Sequence, residues 1–464
     1  LRPVSRQSLA PKRLAALRAR LDAEFPRVLE NLAQLARIPS VSYADDSQVS
    51  VGQSAEQVRQ LVAATGVAFE RLEIVRTDDG TRPGLPAVIA RKDPGAGRPT
   101  IMLYAHHDVQ PAGEPSGWDT DPWSPTVRDG RLYGRGVADD KAGVLAHVAA
   151  LTVLGDELDV GISMYIDGEE EDGSWSFGSL LAEHRDVLAA DALIVADCFN
   201  WSVDTPALVT SLRGTTTLIV EVRTLEHAVH SGQFGGPVPD AVGVLVRMLA
   251  SLYRADGGIA VDGLVSDGSA GSFAYPQQRV RADAAILPGV SFAGDGDLAS
   301  RLWFQPSITV IGIDAPPIAG SSNTLQPAAR ARLSMRTHPD QVPAVAGRLL
   351  REHILGHAPH GAVVSFLEEH HSAPYTVDTG NTYLAGYASA LREGFGADPV
   401  LMGVGGSVPF IGTAVSQFPG MGVLLTGVSD PDSRPHSPNE NLHLGQYYKS
   451  ILSEIIFLAS LGVS

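Results

Sequence analysis

Three short apolar runs constrain this chain more than anything else in it: "TIMLYAHHD" (100–108), "GISMYIDGEEED" (161–172) and "DALIVADC" (191–198). Each gives way at its end to histidine or carboxylate: His106 to Asp108, Asp167 to Asp172, and Asp197. Between them lie stretches with helical spacing, "DDKAGVLAHVAALTVLG" and "SFGSLLAEHRDVL". Strands separated by helices of this length predict an α/β fold, with a mostly parallel sheet and helices on both faces. "PAVIARK" and, near the C-terminus, "GMGVLLTGV" read as further strands of the same theme. Helices are expected in "PKRLAALRARLDAEFPRVLENLAQLARIPS" and in "SAEQVRQLVAATG", the latter with Ser54 as N-cap and Gly66 as stop. "TYLAGYASALREGFG" and "QYYKSILSEIIFLASLG" add two more.

The theme is interrupted. From about 213 to 373 the order becomes strand "TTTLIVEVRT", helix "DAVGVLVRMLASLYRA", strands "SITVIGID" and "ARARLSMRT", helix "PAVAGRLLREHILGH" and strand "AVVSFLEEH". That β-α-β-β-α-β order predicts a ferredoxin-like α+β domain, complete in itself. It divides the chain into 1–212 and 374–464, the two parts of one discontinuous domain, and an insertion at 213–373. A length of 464 residues calls for such a division, since one core does not grow that far. The net charge of −17 excludes a nucleic-acid binder, which needs a basic surface. One cysteine, Cys198, leaves no internal disulfide framework and fits a reducing compartment. With no apolar run of membrane-spanning length and no signal-peptide pattern at the start, the expectation is a cytoplasmic protein without membrane contact.

Open α/β sheets collect ligands beyond the carboxyl ends of their strands. Here those ends carry His106, His107 and Asp108, then the acidic run Asp167–Asp172, then Asp197. Asp139 and Asp140 start a helix after the glycine-rich turn "RLYGRGVADDKAG", and the loop "SDPDSRPHSPNEN" after the last strand holds His436. Each alone reads as an N-cap, a turn or a solvated surface group. Together they predict a cation site. Histidine mixed with carboxylate suits zinc, cobalt or manganese, whereas calcium and magnesium take oxygen alone. Strand alternation puts His106 and Asp108 on one side, so Asp108 can orient His106, and turns His107 away. Two histidines with three or more carboxylates exceed one tetrahedral ion. The surplus predicts two metals that share a bridging carboxylate, with one Glu spare as a base. Spacing does not say which of Glu169, Glu170 and Glu171 is spare.

"YAHHDVQP", "YGRGVADDKAG", "DGEEEDGSWSFGS", "IVADC", "HSGQFGG", "NTLQP", "ARLSMR", "GGSVP" and "PHSPNEN" occur in this order across nearly the whole chain. So arranged, they resemble the dinuclear zinc peptidase family (clan MH) of carnosinases and cytosolic dipeptidases, glutamate carboxypeptidase, aminoacylase and succinyl-diaminopimelate desuccinylase. The dipeptidase branch is the nearest. The resemblance implies a catalytic domain with an inserted lid through which two chains form a homodimer. It implies that His106 and Asp197 hold one metal, Glu171 and His436 the other, and that Asp139 bridges them. Glu170 is then the general base, Asp108 supports His106, and Glu169 is an extra acid. His107 stands where the family often has an aromatic residue. In the lid, the resemblance implies that His230 stabilises the oxyanion in the partner subunit's site. Arg336 and Ser407 would bind the substrate's terminal carboxylate, with Asn323 and Thr324 on a turn that approaches substrate.

The expected function is hydrolysis of amide bonds in small substrates with a free carboxylate, by a dipeptidase or related exopeptidase. An N-acyl-amino-acid amidohydrolase on the same residues is the alternative. A non-catalytic metal binder has no use for an unligated Glu170, and a metallo-nuclease or phosphatase lacks its basic groove here.

Overall fold

The structure, a computed structural model, describes residues 9–43, 47–78, 80, 82–268, 274–406 and 409–462. It forms two compact units: Leu1–Thr210 with Val377–Met402 and Pro409–Ser464, and Ser211–Thr376 with Gly403–Val408.

At the centre of the first unit, four strands run parallel in the order Gly161–Asp167, Thr100–His106, Ala192–Val195 and Gly422–Leu425. Ala87–Lys92 and Arg71–Val75 continue the sheet antiparallel on one flank, and Ala207–Leu212 pairs antiparallel on the other. Every residue of Thr100–His106 and Gly161–Asp167 is buried, as uninterrupted apolar runs require of strands covered on both faces. The helix Lys141–Leu154 is apolar nearly all round and therefore needs cover on every side. It lies on the strand Thr100–His106 and against the helices Pro11–Ala36 and Leu444–Leu461. Its buried Lys141 donates from Nζ to the carbonyls of Leu35 (3.1 Å) and Ile38 (2.7 Å), so a side-chain amine, its pKa pulled down by burial to about 7, satisfies the C-terminal end of Pro11–Ala36.

Two local expectations change. The second helix runs Ser47–Ala63, so Ser54 is interior rather than an N-cap. Buried Val51 extends the apolar face a turn earlier than Ala55, and the Ser54 hydroxyl instead donates to the His107 carbonyl at 3.2 Å. "SFGSLLAEHRDVL" makes two short helices, Phe177–Glu183 and Arg185–Leu188, because His184 leaves helical geometry.

The second unit holds a four-stranded antiparallel sheet in the order Ser307–Asp314, Ala328–Thr337, Gly214–Arg223, Val363–Ser372. With the helices Ala241–Ala250 and Pro343–Gly356 packed on it, the order in sequence and in space is ferredoxin-like. Along Ala328–Thr337 the buried positions Ala329, Ala331, Leu333 and Met335 alternate with the exposed Arg330 and the half-buried Arg332, Ser334 and Arg336, which sets the register of that strand. No described helix is long and apolar enough to cross a membrane.

One buried ion pair ties three elements of the first unit together. His147 Nδ1 meets Glu454 Oε1 at 2.8 Å, and its Nε2 donates to the Tyr104 carbonyl at 3.0 Å. Burial opposes the charged imidazole, but Glu454 and the carbonyl outweigh it and hold the pKa above the ordinary 6.5. A raised pKa stabilises the fold fully below 6.5, and that contribution is lost as pH rises through the folded value. His147→Gln is therefore expected to cost about 3–5 kcal/mol, the scale for breaking a buried pair. Urea unfolding of both proteins should show the gap widest in mild acid and narrower at alkaline pH.

Candidate metal centre

The parallel register decides what meets at the sheet's edge. His106 lies opposite Asp167 on the neighbouring strand, and Asp197 follows Ala192–Val195 two residues past its end. Strand ends that finish level with one another bring His106, Asp108, the acidic run and Asp197 to one place.

Asp139 is the meeting point. Its Oδ1 is 3.0 Å from His106 Nε2 and its Oδ2 is 3.1 Å from His436 Nε2. His436 Nε2 also lies 3.3 Å from Glu171 Oε2. Among the described residues, two groups have ligand atoms within 4.8 Å of one another: His106, Asp140 and Asp197, and Asp139, Glu171 and His436. Of the residues expected to hold metal, all are in one group or the other. Asp140 is an addition. Read from sequence only as part of a helix start, it is buried beside His106. Its Oδ2 accepts the His106 N–H at 3.3 Å, while its Oδ1 has no hydrogen-bond partner.

The acidic run divides its carboxylates between backbone and site. Asp167 accepts the Glu169 N–H (3.1 Å) and the Ser174 hydroxyl (2.6 Å). Glu169 accepts the N–H groups of Leu85 (3.2 Å) and Ser176 (2.7 Å), so this extra acid is spent on holding loops. Asp172 pairs with Arg82 at 2.7 Å. Glu171 joins a ligand group, and Glu170 belongs to neither. Asp108 sets this loop as well as His106. Its carboxylate oxygens accept the N–H groups of Glu170 (3.2 Å) and Glu171 (3.0 Å), and Oδ1 is 3.4 Å from His106 Nδ1. His107 is buried on the other side, with Nε2 3.0 Å from the Pro86 carbonyl, and burial pulls its pKa down to about 4.

Sequence reading also missed Glu440, which stands in the quoted "PHSPNEN". Fully buried, it accepts the N–H groups of Gly136 (3.0 Å), Ala138 (2.9 Å) and Asp139 (3.1 Å), and pairs with Arg135 at 2.6 Å. This one carboxylate shapes the turn that presents Asp139, and burial pushes its pKa up to about 7. The only sequence signal was a charge inside a motif otherwise accounted for by His436.

The electrostatics fit a cation. Burial, followed by neighbouring carboxylates such as Asp197, Glu171 and Asp139, pushes Glu170, Asp140 and Asp197 well above the ordinary carboxylate range. Hydrogen bonds to Asp139 and Glu171 push His436 up to about 11. Those bonds from His106 and His436 outweigh burial at Asp139 and hold its pKa low. Acids forced to keep protons beside imidazoles forced to gain them are a ligand set whose natural counter-charge is a divalent ion. The unpartnered Asp140 oxygen points the same way.

The residues expected in the lid lie in the second unit. Val229–His230 and Thr324–Leu325 form a two-stranded ribbon with His230 directly opposite Thr324, and Ser231 N–H donates to the Asn323 carbonyl at 2.9 Å. Residues nearly a hundred positions apart are thus brought together. His230 is exposed, and its Nδ1 accepts the Gly232 N–H at 3.0 Å. That bond puts the ring proton of the neutral form on Nε2. Arg336 lies on the central strand Ala328–Thr337 between Ser307 and Thr215, and its Nη1 donates to Thr215 Oγ1 at 2.6 Å. Ser407 lies outside the described residues.

Comparison with known proteins places this geometry. The model of peptidase family M20/M25/M40 matches residues 102–453. Cysteinylglycine-S-conjugate dipeptidase of Corynebacterium striatum is 31% identical, over 94% of this chain and 96% of that protein. Beta-Ala-His dipeptidase of Mus musculus is 28% identical, over 85% and 83%. The solved structure of the dipeptidase Dug1p from Saccharomyces cerevisiae superposes with a TM-score of 0.85 at 23% identity, covering 97% of this chain and 98% of that one. A metal-ligating cluster at the strand ends and a family match over most of the chain make this a metal-dependent hydrolase, and the chain belongs to peptidase family M20/M25/M40.

Proposed function

We propose that the chain is a dipeptidase that binds two divalent ions, zinc by ligand preference with cobalt or manganese as substitutes. The observation that carries this reading is the Asp139 carboxylate, which offers one oxygen towards each of two ligand groups while Glu170 stands outside both. His106 and Asp197 would hold one ion, Glu171 and His436 the other, and Asp139 would bridge. Bound ions of this kind polarise a scissile carbonyl and acidify a water.

The chain's own residues do the rest. Glu170, which stands outside both ligand groups, takes the proton of the attacking water and returns it to the leaving amine. Asp108 fixes the loop that carries it. His230 offers an Nε2–H to the developing oxyanion. Arg336 and Ser407 hold the terminal carboxylate, and Asn323 and Thr324 lie on the same ribbon as His230. We take the domains as 1–212 with 374–464 for catalysis and 213–373 for the lid, through which two chains pair. The names of the relatives at 31% and 28% identity support dipeptides as substrates, and cytoplasm as the compartment fits the single buried Cys198. Assaying dipeptides beside N-acyl amino acids decides between this reading and the deacylase alternative.

Metal removal and substitutions at the acids and at His230 test the reading. Chelation should abolish turnover, with zinc, cobalt or manganese restoring it, whereas full activity in exhaustively stripped protein refutes metal dependence. Glu170→Gln should keep its metal content, read by elemental analysis, and lose at least ~100-fold in kcat. Glu171→Gln should lose metal instead, and a catalytic loss confined to Glu169→Gln would move the base by one position. His230→Ala should fall by ~100-fold with metal unchanged. Mixing it with Glu170→Gln should restore activity if the histidine serves the partner's site, and proven subunit exchange without recovery rejects action in trans.

A further inference from the structure

Gln110 stands two residues past Asp108, and the roles above leave it unused. Its Nε2 donates to Glu171 Oε2 at 2.7 Å, and the Tyr43 hydroxyl donates to its Oε1. Chemistry fixes the direction at each link. An ionised carboxylate only accepts, so the amide must turn its NH2 to Glu171; its oxygen then faces Tyr43, whose phenol must donate. Tyr43 is itself tied to the strand end. Val41 bridges Val109 in parallel, Val109 N–H donates to the Ser40 carbonyl at 2.9 Å, and Ser40 Oγ donates to the His107 carbonyl at 2.7 Å.

The two ligand groups differ in how firmly they are held. His106, Asp140 and Asp197 are largely buried, and Asp108 braces His106 from behind. In the other group the His436 side chain is 58% exposed and sits on a loop, so it contributes little rigidity. Geometry there has to come from Asp139 and Glu171. Glu440 sets the backbone under Asp139, and Gln110 grips the Glu171 carboxylate beside His436. A neutral amide suits that task. It orients the ligand without cancelling the negative charge a cation needs, which a lysine or arginine at the same place would do.

We propose that Tyr43 and Gln110 form a positioning relay for Glu171, one that strengthens cation binding at the Asp139–Glu171–His436 group and leaves the His106–Asp140–Asp197 group untouched. The proposal rests on the two-ion reading above. It makes the two binding steps separately adjustable, since the relay reaches only one of them.

The test is titration of the stripped full-length chain with cobalt(II), followed by calorimetry and by the visible absorption of the bound ion. Gln110→Ala should weaken one of the two steps by roughly 10–100-fold, the usual cost of losing a group that orients a ligand, and leave the other unchanged. Tyr43→Phe should weaken the same step by less, and should add nothing once Gln110 is alanine. Thermal unfolding of the stripped variants is expected to match wild type; if Gln110→Ala does not fold, Tyr43→Phe alone carries the test. Equal weakening of both steps, or of neither, overturns the relay. A wild-type chain that takes up one ion refutes the two-ion reading separately, and the relay is then judged on that single step: it stands if the variants weaken it and falls if they do not.

Discussion

Asp139 faces His106 with one oxygen and His436 with the other, and the carboxylates around it are close enough to repel. Two like charges about 4 Å apart cost about 4 kcal/mol at the effective dielectric of a protein surface. A hydrogen bond to a charged group returns about 1.5–3 kcal/mol. Backbone amides can therefore support a few of these acids but not all of them ionised together. Divalent charge at the strand ends would remove the deficit, and the first unit brings a set of potential ligands for it to one edge of the sheet.

The acids of the "DGEEED" run are not equivalent, although they look alike in sequence. Asp167 and Glu169 are turned to backbone N–H groups and a serine hydroxyl, Asp172 to an arginine, and Glu171 to the site. Glu170 is held by its own backbone N–H on Asp108, which fits the role of base proposed for its carboxylate. Asp108 and Glu440 illustrate one device used twice. A buried carboxylate collects successive backbone N–H groups and so fixes the turn that presents a working side chain.

Much of this was legible beforehand where a local rule applied. Alternation along "YAHHD" separates His106 from His107, and period-two burial in "ARARLSMRT" gives a half-buried strand. The opposite strand ends could be read because a parallel sheet finishes its strands level. Ser54 was misplaced because its polarity looks like a cap, while the burial of Val51 that prolongs the helix is a tertiary fact. Asp140 and Glu440 escaped for a related reason: nothing in a sequence says which lone pairs end up facing a cation and which face an amide.

The sequence by itself determined the periodicities, and through them the strands, the helices, the interruption by a second fold and the crowd of histidine and carboxylate at the strand ends. Those follow from rules that span only a few residues. The tertiary structure alone decided the division of labour within that crowd. Burial, neighbouring charge and the supply of backbone donors are set by segments distant in the chain: Glu440 acts on Asp139, and Leu85 and Ser176 act on Glu169. The grip of Gln110 on Glu171 exists only because two neighbouring strands place their following loops side by side.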